Sequence, residues 1–183
     1  MTPDSQFSIA GTPMSDVDPV EPQPLTFRDD VRTSDVVAVT ELVAATGFFS
    51  AAEVAVAGEL VEDRLTQGLA SGYRFVLAER GERLEGYCCF GPIPLTQSSF
   101  DLYWIVVRPA AQRSGLGRRL LAMAETGARD LGATAMYVDT SSRPQYTSTR
   151  LFYRRVGYRL AAEFPDFYAP GDGKVVFVKR LSS

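Results

Sequence analysis

The residues best placed for chemistry form a short turn, Gln112-Arg113-Ser114-Gly115-Leu116-Gly117, between two apolar patterns. Upstream, Leu102-Tyr103-Trp104-Ile105-Val106-Val107 is rich in β-branched and aromatic side chains and predicts a buried strand, which Pro109 stops. Downstream, Leu116, Leu120, Leu121 and Met123 predict a helix. A strand feeding a glycine turn into a helix leaves the first helical N–H groups unpaired at the positive end of the helix dipole. Such a turn is a seat for pyrophosphate. Gly115 and Gly117 let an anion approach the backbone, and Arg113, Arg118 and Arg119 add positive charge.

Two phosphate-binding patterns are excluded. The dinucleotide fingerprint needs a third glycine or alanine where Leu120 stands, and a Walker loop needs Gly-Lys-Ser or Gly-Lys-Thr, which the chain lacks. The chain has no histidine, so histidine triads, histidine metal sites and a histidine general base are all absent. Its two cysteines, Cys88 and Cys89, are adjacent on a predicted strand and point to opposite faces, so they cannot pair. Without a disulfide, a reducing cytoplasm is the expected location.

The elements that must position this turn follow from periodicity. Residues 1–24 are rich in proline and short of apolar residues, and are expected to be a disordered tail; the domain is expected over 25–183. Leu25 opens a short edge strand, and Thr33 or Ser34 is expected to cap a helix that ends at Gly47. A second helix opens at Ser50, with Glu53 completing a capping box, and runs to about Gly68. Strands are predicted from Tyr73 to Glu79 and from Leu84 to Phe90, with a hairpin at Gly81 and a break at Gly91-Pro92-Ile93-Pro94. After the central strand and its helix, Ala135 to Asp139 forms the second parallel strand, followed by a helix from about Thr147 to Val156. Tyr158 to Glu163 and Val175 to Lys179 close the chain as an antiparallel pair.

At 183 residues the chain suits one domain with a full core. A net charge of -3 argues against nucleic acid as the main partner. No apolar run is long enough for a membrane span and no signal pattern opens the chain, so no membrane partner is expected.

The string Q-x-x-G-x-G after a strand ending Val-x-Pro resembles the acetyl-CoA pyrophosphate loop of the GNAT N-acetyltransferase superfamily. A second string, Leu151-Phe152-Tyr153-Arg154-Arg155-Val156-Gly157-Tyr158, resembles that family's (L/F)-Y-x-x-x-G-(F/Y), in the right order and at about the right distance. The predicted element order, β–α–α–β–β–β–α–β–α–β–β, is also that of the family. The resemblance covers roughly residues 25–181. It implies the GNAT acyl-CoA N-acyltransferase fold: an α/β domain with a mixed, mostly antiparallel sheet, a central parallel β-α-β unit and flanking helices.

The same resemblance implies acetyl-CoA as cofactor and acetyl transfer to a primary amine by direct attack. It carries Tyr153 over as the acid that protonates the departing thiolate. Ile105, Val106 and Val107 carry over through backbone contacts to the thioester and pantetheine arm. Gln112, Arg113, Ser114, Gly115, Leu116, Gly117 and Arg118 carry over as the pyrophosphate seat. Asp101, eleven residues before Gln112, stands where one branch of the family places a catalytic glutamate, and acts there as a base through water. Glu85, Asp139 and Asp166 are the other carboxylates in line for that role. Two positions depart from the family: Tyr146 replaces a common asparagine and Thr149 a common alanine.

For the acceptor, Phe49, Tyr103, Tyr146 and Tyr168 are expected at the site, with Asp101, Asp166 and Asp172 able to hold an ammonium and Arg143 or Arg150 a carboxylate. An amino-acid-like metabolite or a protein N-terminus or lysine would fit. The chain is expected to act as a cytoplasmic monomer or homodimer without a metal. The rival reading is a non-catalytic acyl-CoA-binding regulatory module.

Overall fold

A computed structural model describes residues 23–181. In chain order its elements are β1 (Leu25–Arg28), α1 (Asp35–Ala45), α2 (Ala51–Gln67), β2 (Arg74–Arg80), β3 (Arg83–Pro92), β4 (Ser99–Val107), α3 (Leu116–Asp130), β5 (Ala135–Ser141), α4 (Thr147–Arg155), β6 (Arg159–Ala169) and β7 (Asp172–Arg180). The strands form one sheet in the order β1-β2-β3-β4-β5-β7-β6. Every pair is antiparallel except β4 with β5, as the crossover through α3 requires.

The two faces carry separate cores. Val39, Leu42 and Val43 of α1 and Ala57 and Val61 of α2 pack against Phe75, Tyr87 and Cys89. Leu120, Leu121 and Ala124 of α3 and Tyr153 of α4 pack against Cys88, Leu102 and Val138. Cys88 and Cys89 therefore point to opposite faces, as strand alternation requires. Burial pushes the Cys88 thiol up to about 12, which suits a core residue and not a nucleophile.

The sheet opens at its centre. β4 and β5 pair only from Ser99 with Ala135 to Asp101 with Tyr137. Beyond that point β4 continues on β3 alone and β5 on β7 alone, so the two parallel strands part. A bulge helps: Cys89 pairs with Trp104 but Phe90 with Leu102, which leaves Tyr103 as the extra residue of β4. Past the bulge, the pairing register sets which backbone groups face the gap. Arg108 N donates to Glu85 O at 2.8 Å, so alternate residues Val106 and Trp104 bond to β3. Ile105 and Val107 between them direct their N–H and C=O groups into the opening.

Several expectations need correction. Ser34 precedes α1, but it lies in helical backbone and makes no side-chain cap bond. The Asp35 carboxylate instead accepts from Arg32 N (2.7 Å) and pairs with the part-buried Arg28. β3 runs two residues past Phe90 before it breaks, pairing on to Pro92 opposite Phe100. β6 and β7 are longer than predicted, because Asp166 to Ala169 belongs to β6 and β7 begins at Asp172. Between Phe164–Lys174 and Ala169–Asp172 the β6 side carries three extra residues, with Asp166 at φ +53 and its Oδ1 accepting from Gly171 N (2.6 Å). The capping box at Ser50 and Glu53 is present. The expected tail falls mostly at residues 1–22, which lie outside the described residues; β1 begins at Leu25.

Candidate active site

The gap between β4 and β5 holds a cleft of about 1070 Å³. Its two ends lie on opposite faces of the sheet. Ile105 and Val107 pack toward the α3 and α4 side, and Trp104 toward the α1 and α2 side.

On the α3 side the lining includes Gln112, Arg113, Gly115, Gly117, Arg118 and Arg155, with no carboxylate among them. Gly115 at φ +87 begins α3 and no side chain caps the helix. Among the described residues, the N–H groups of Leu116, Gly117 and Arg118 make no hydrogen bond of normal geometry within the protein. They stand where an anion would meet them. The loop is braced to hold this row: Ser114 Oγ donates to Ala111 O (2.7 Å) and Gln112 Nε2 to Val107 O (3.2 Å). Arg113 sits at φ +62, a left-handed conformation that costs a non-glycine residue about 1–2 kcal/mol. These residues fit a pyrophosphate.

Two of the expected cofactor residues do not line the cleft. The Ser114 side chain is engaged within the loop, and Leu116 is a core residue that offers only its backbone amide. The other expected positions, Ile105, Val106, Val107, Gln112, Arg113, Gly115, Gly117, Arg118 and Tyr153, all do.

Tyr153 is the buried residue of α4, packed on Phe152, Tyr158 and Phe177. Although 3% exposed, it lines the cleft. Burial pushes its pKa above the ordinary phenol value, so the phenol keeps its proton at neutral pH.

The α1 and α2 side has another character. Phe49, Tyr103, Tyr146 and Tyr168, the four expected acceptor residues, all line it, and Phe48 and Trp104 join them. Phe49 packs on Trp104 at 5.0 Å, and Phe48 meets Tyr146 edge-on at 6.0 Å. Tyr168 is presented there by the β6 bulge. Carboxylates line this end too: Glu53, Asp139 and Asp172. Glu53 is tied to Ser50 N (2.8 Å), Asp139 pairs with Lys174, and Asp172 pairs with Arg143 (3.0 Å).

Asp101 is not a lining residue. It stands half-buried at the last rung between β4 and β5, two positions from Tyr103 and close enough to feel the charge of Asp139. Burial first, and then Asp139, push its carboxyl up to about 6, while Lys174 opposes them. Of its rivals, Glu85 lies away from the cleft, buried beside Arg83 (2.5 Å), and Asp166 holds the β6 bulge. Among residues not anticipated, Trp104 was readable as the outward partner of Ile105 by strand alternation. Ser141 and Arg155 carried no such signal.

A family model described as an acetyltransferase (GNAT) domain matches residues 71–160. Blasticidin-S acetyltransferase of Streptomyces morookaense is 39% identical over 108 residues, which are 58% of this chain and 73% of that protein. A crystal structure from Desulfovibrio desulfuricans, assigned to the GNAT family of acetyltransferases, is 40% identical with a TM-score of 0.86, covering 87% of this chain and all of that one. The chain is a GNAT acetyltransferase. The same fold recurs at 21% identity and a TM-score of 0.66 in a Salmonella typhimurium protein solved with its cofactor acetyl-CoA, over 87% of this chain and 95% of that one. Acetyl-CoA is the donor this acetyltransferase family uses, and the regulatory-module alternative gives way to an enzyme. Among the described residues, no helix is long and apolar enough to cross a membrane.

Proposed function

We propose that this acetyltransferase N-acetylates a primary amine on a small molecule, binding the donor from the α3 side and the amine from the α1 and α2 side. The observation that carries the reading is the change of charge along the cleft. Arg113, Arg118 and Arg155 stand at the loop end without a carboxylate, whereas at the aromatic end Glu53, Asp139 and Asp172, with Asp101 behind them, outnumber the cations Arg143 and Lys174. Such a field favours phosphates at one mouth and an ammonium at the other.

Bound acetyl-CoA supplies an activated acetyl thioester. The amide row at Leu116 to Arg118 holds the pyrophosphate, with Arg113 and Arg118 beside it. The N–H groups of Ile105 and Val107 align the arm in the gap between β4 and β5 and serve as donors where negative charge grows. Asp101, which loses its proton near pH 6, takes a proton from the acceptor ammonium through a water. Tyr153 Oη holds a proton at the other end of the transfer, available to the leaving group.

The similarity to blasticidin-S acetyltransferase makes blasticidin S the first acceptor to try. The test is release of free thiol from acetyl-CoA with blasticidin S, aminoglycosides, polyamines, amino acids and peptide N-termini. Turnover confined to small amines supports the reading; turnover confined to peptides would replace it.

A further inference from the structure

We propose that the guanidinium of Arg143 is a carboxylate-binding subsite at the amine end of the cleft, so that the acceptor carries an acid group as well as its amine. This rests on the acetyl-transfer reading of the same cleft and narrows its substrate class.

Arg143 lies in the turn between β5 and α4 and lines the cleft. One edge of its guanidinium is fixed. Nε pairs with Asp172 Oδ2 at 3.0 Å and donates to Ser141 Oγ at 3.3 Å. Asp172 is 8% exposed and accepts from Ser141 Oγ, so the anchor is buried and does not swing. Its Cζ also lies over the Tyr146 ring, 5.6 Å from the centroid, and Tyr146 is held edge-on by Phe48. A guanidinium held at Nε and set over a ring has its direction constrained.

Its other edge is free. Among the described residues, neither terminal nitrogen of Arg143 makes a hydrogen bond. Two parallel N–H groups on adjacent nitrogens form the fork that matches a carboxylate. The other carboxylates lining this end are engaged elsewhere: Glu53 by Ser50 N and Ser50 Oγ, both at 2.8 Å, and Asp139 by Lys174. The side chain keeps 45% of its exposure, so a small molecule can reach it.

Arg150 makes the contrast. Its Nη1 donates to Ser141 O (2.8 Å) and Arg143 O (3.0 Å), and its Nη2 to Thr147 Oγ1 (3.0 Å). It does not line the cleft; it stitches the turn that carries Arg143. The geometry thus separates two arginines that spacing alone left equal, one as the brace and one as the presented fork.

The experiment is calorimetry in the presence of coenzyme A with L-arginine, L-lysine and β-alanine, each against its own carboxamide. The carboxamide keeps the amine and the shape but loses the anion. Wild type is expected to prefer the acid by about tenfold or more in at least one pair, the worth of one charge-assisted bidentate contact. In Arg143→Gln the ratio should fall to about one, and in Arg143→Lys it should be intermediate, with acetyl-CoA affinity unchanged in both. Equal binding of acid and carboxamide in all three pairs, or a preference that survives in Arg143→Gln, overturns the proposal. Turnover of the same compounds is read separately: an acid preference in binding without acetylation of any amine would count against the transfer reading and not against the subsite.

Discussion

Asp139 lies two residues past Tyr137, the partner of Asp101 at the last rung before β4 and β5 part, and after burial it is the charge of Asp139 that raises the carboxyl of Asp101. Lys174, ion-paired to Asp139, works in the opposite direction. Burial and these two charges set the pH at which the proposed base becomes active.

The rate with a saturating amine should therefore rise through about pH 6 and level off above it, because the base must be unprotonated. Lys174→Met removes the opposing charge and should move the rise to higher pH; Asp139→Asn should move it lower. Asp101→Asn should remove that limb altogether. A pH–rate profile of the four proteins checks this, and an unmoved limb would take the base role from Asp101.

Stability gives an independent check on the same group. A carboxyl whose folded pKa lies above its unfolded value, here about 6 against 3.8, binds a proton more tightly when folded. Its contribution is complete below the unfolded value and is lost as pH rises through about 6. Asp101→Asn should then raise Tm relative to wild type at pH 8 and change it little at pH 4. Thermal denaturation at the two pH values reads the difference.

Tyr153→Phe keeps the ring against Phe152, Tyr158 and Phe177 and removes only the hydroxyl. We expect kcat to fall about 10²-fold, the usual worth of one acid–base group, with acetyl-CoA affinity retained. Steady-state kinetics with calorimetry separates the two effects, and an unaltered kcat would leave Tyr153 as a packing residue.

At Gly117 a Cβ would meet Val107 Cγ2 at 3.6 Å, an ordinary contact, so a small side chain fits. An indole would fill the cleft over the free amides. Gly117→Trp should lose acetyl-CoA binding by calorimetry while keeping a cooperative melt, and Gly117→Ala should keep most of it.

Much of this was legible in local sequence and some of it was not. The turn from Gln112 to Gly117 and the helix bearing Tyr153 are short-range features, set by glycines, a proline and a 3.6-residue repeat. The outward-facing amides of Ile105 and Val107 depend on pairing with β3, so backbone register and not side-chain type reveals them. The Ser141–Asp172 contact joins residues 31 apart and exists only because β7 lies beside β5. Pro165 and Asp166 read as a loop, yet the backbone bulges inside β6 and returns to the ladder at Ala169. Leu116 and Ser114 lie within the loop motif, but helix phase and a local hydrogen bond turn their side chains away from the cleft.

The most direct test of the central claim is a stoichiometry. The protein is loaded with acetyl-CoA, blasticidin S or another small amine is added, and thiol release is measured beside N-acetylated product by mass spectrometry. The cleft as described predicts one thiol for each amide formed, with both signals lost in Gly117→Trp. Tight binding of acetyl-CoA with no N-acetylated product from any small amine would contradict it.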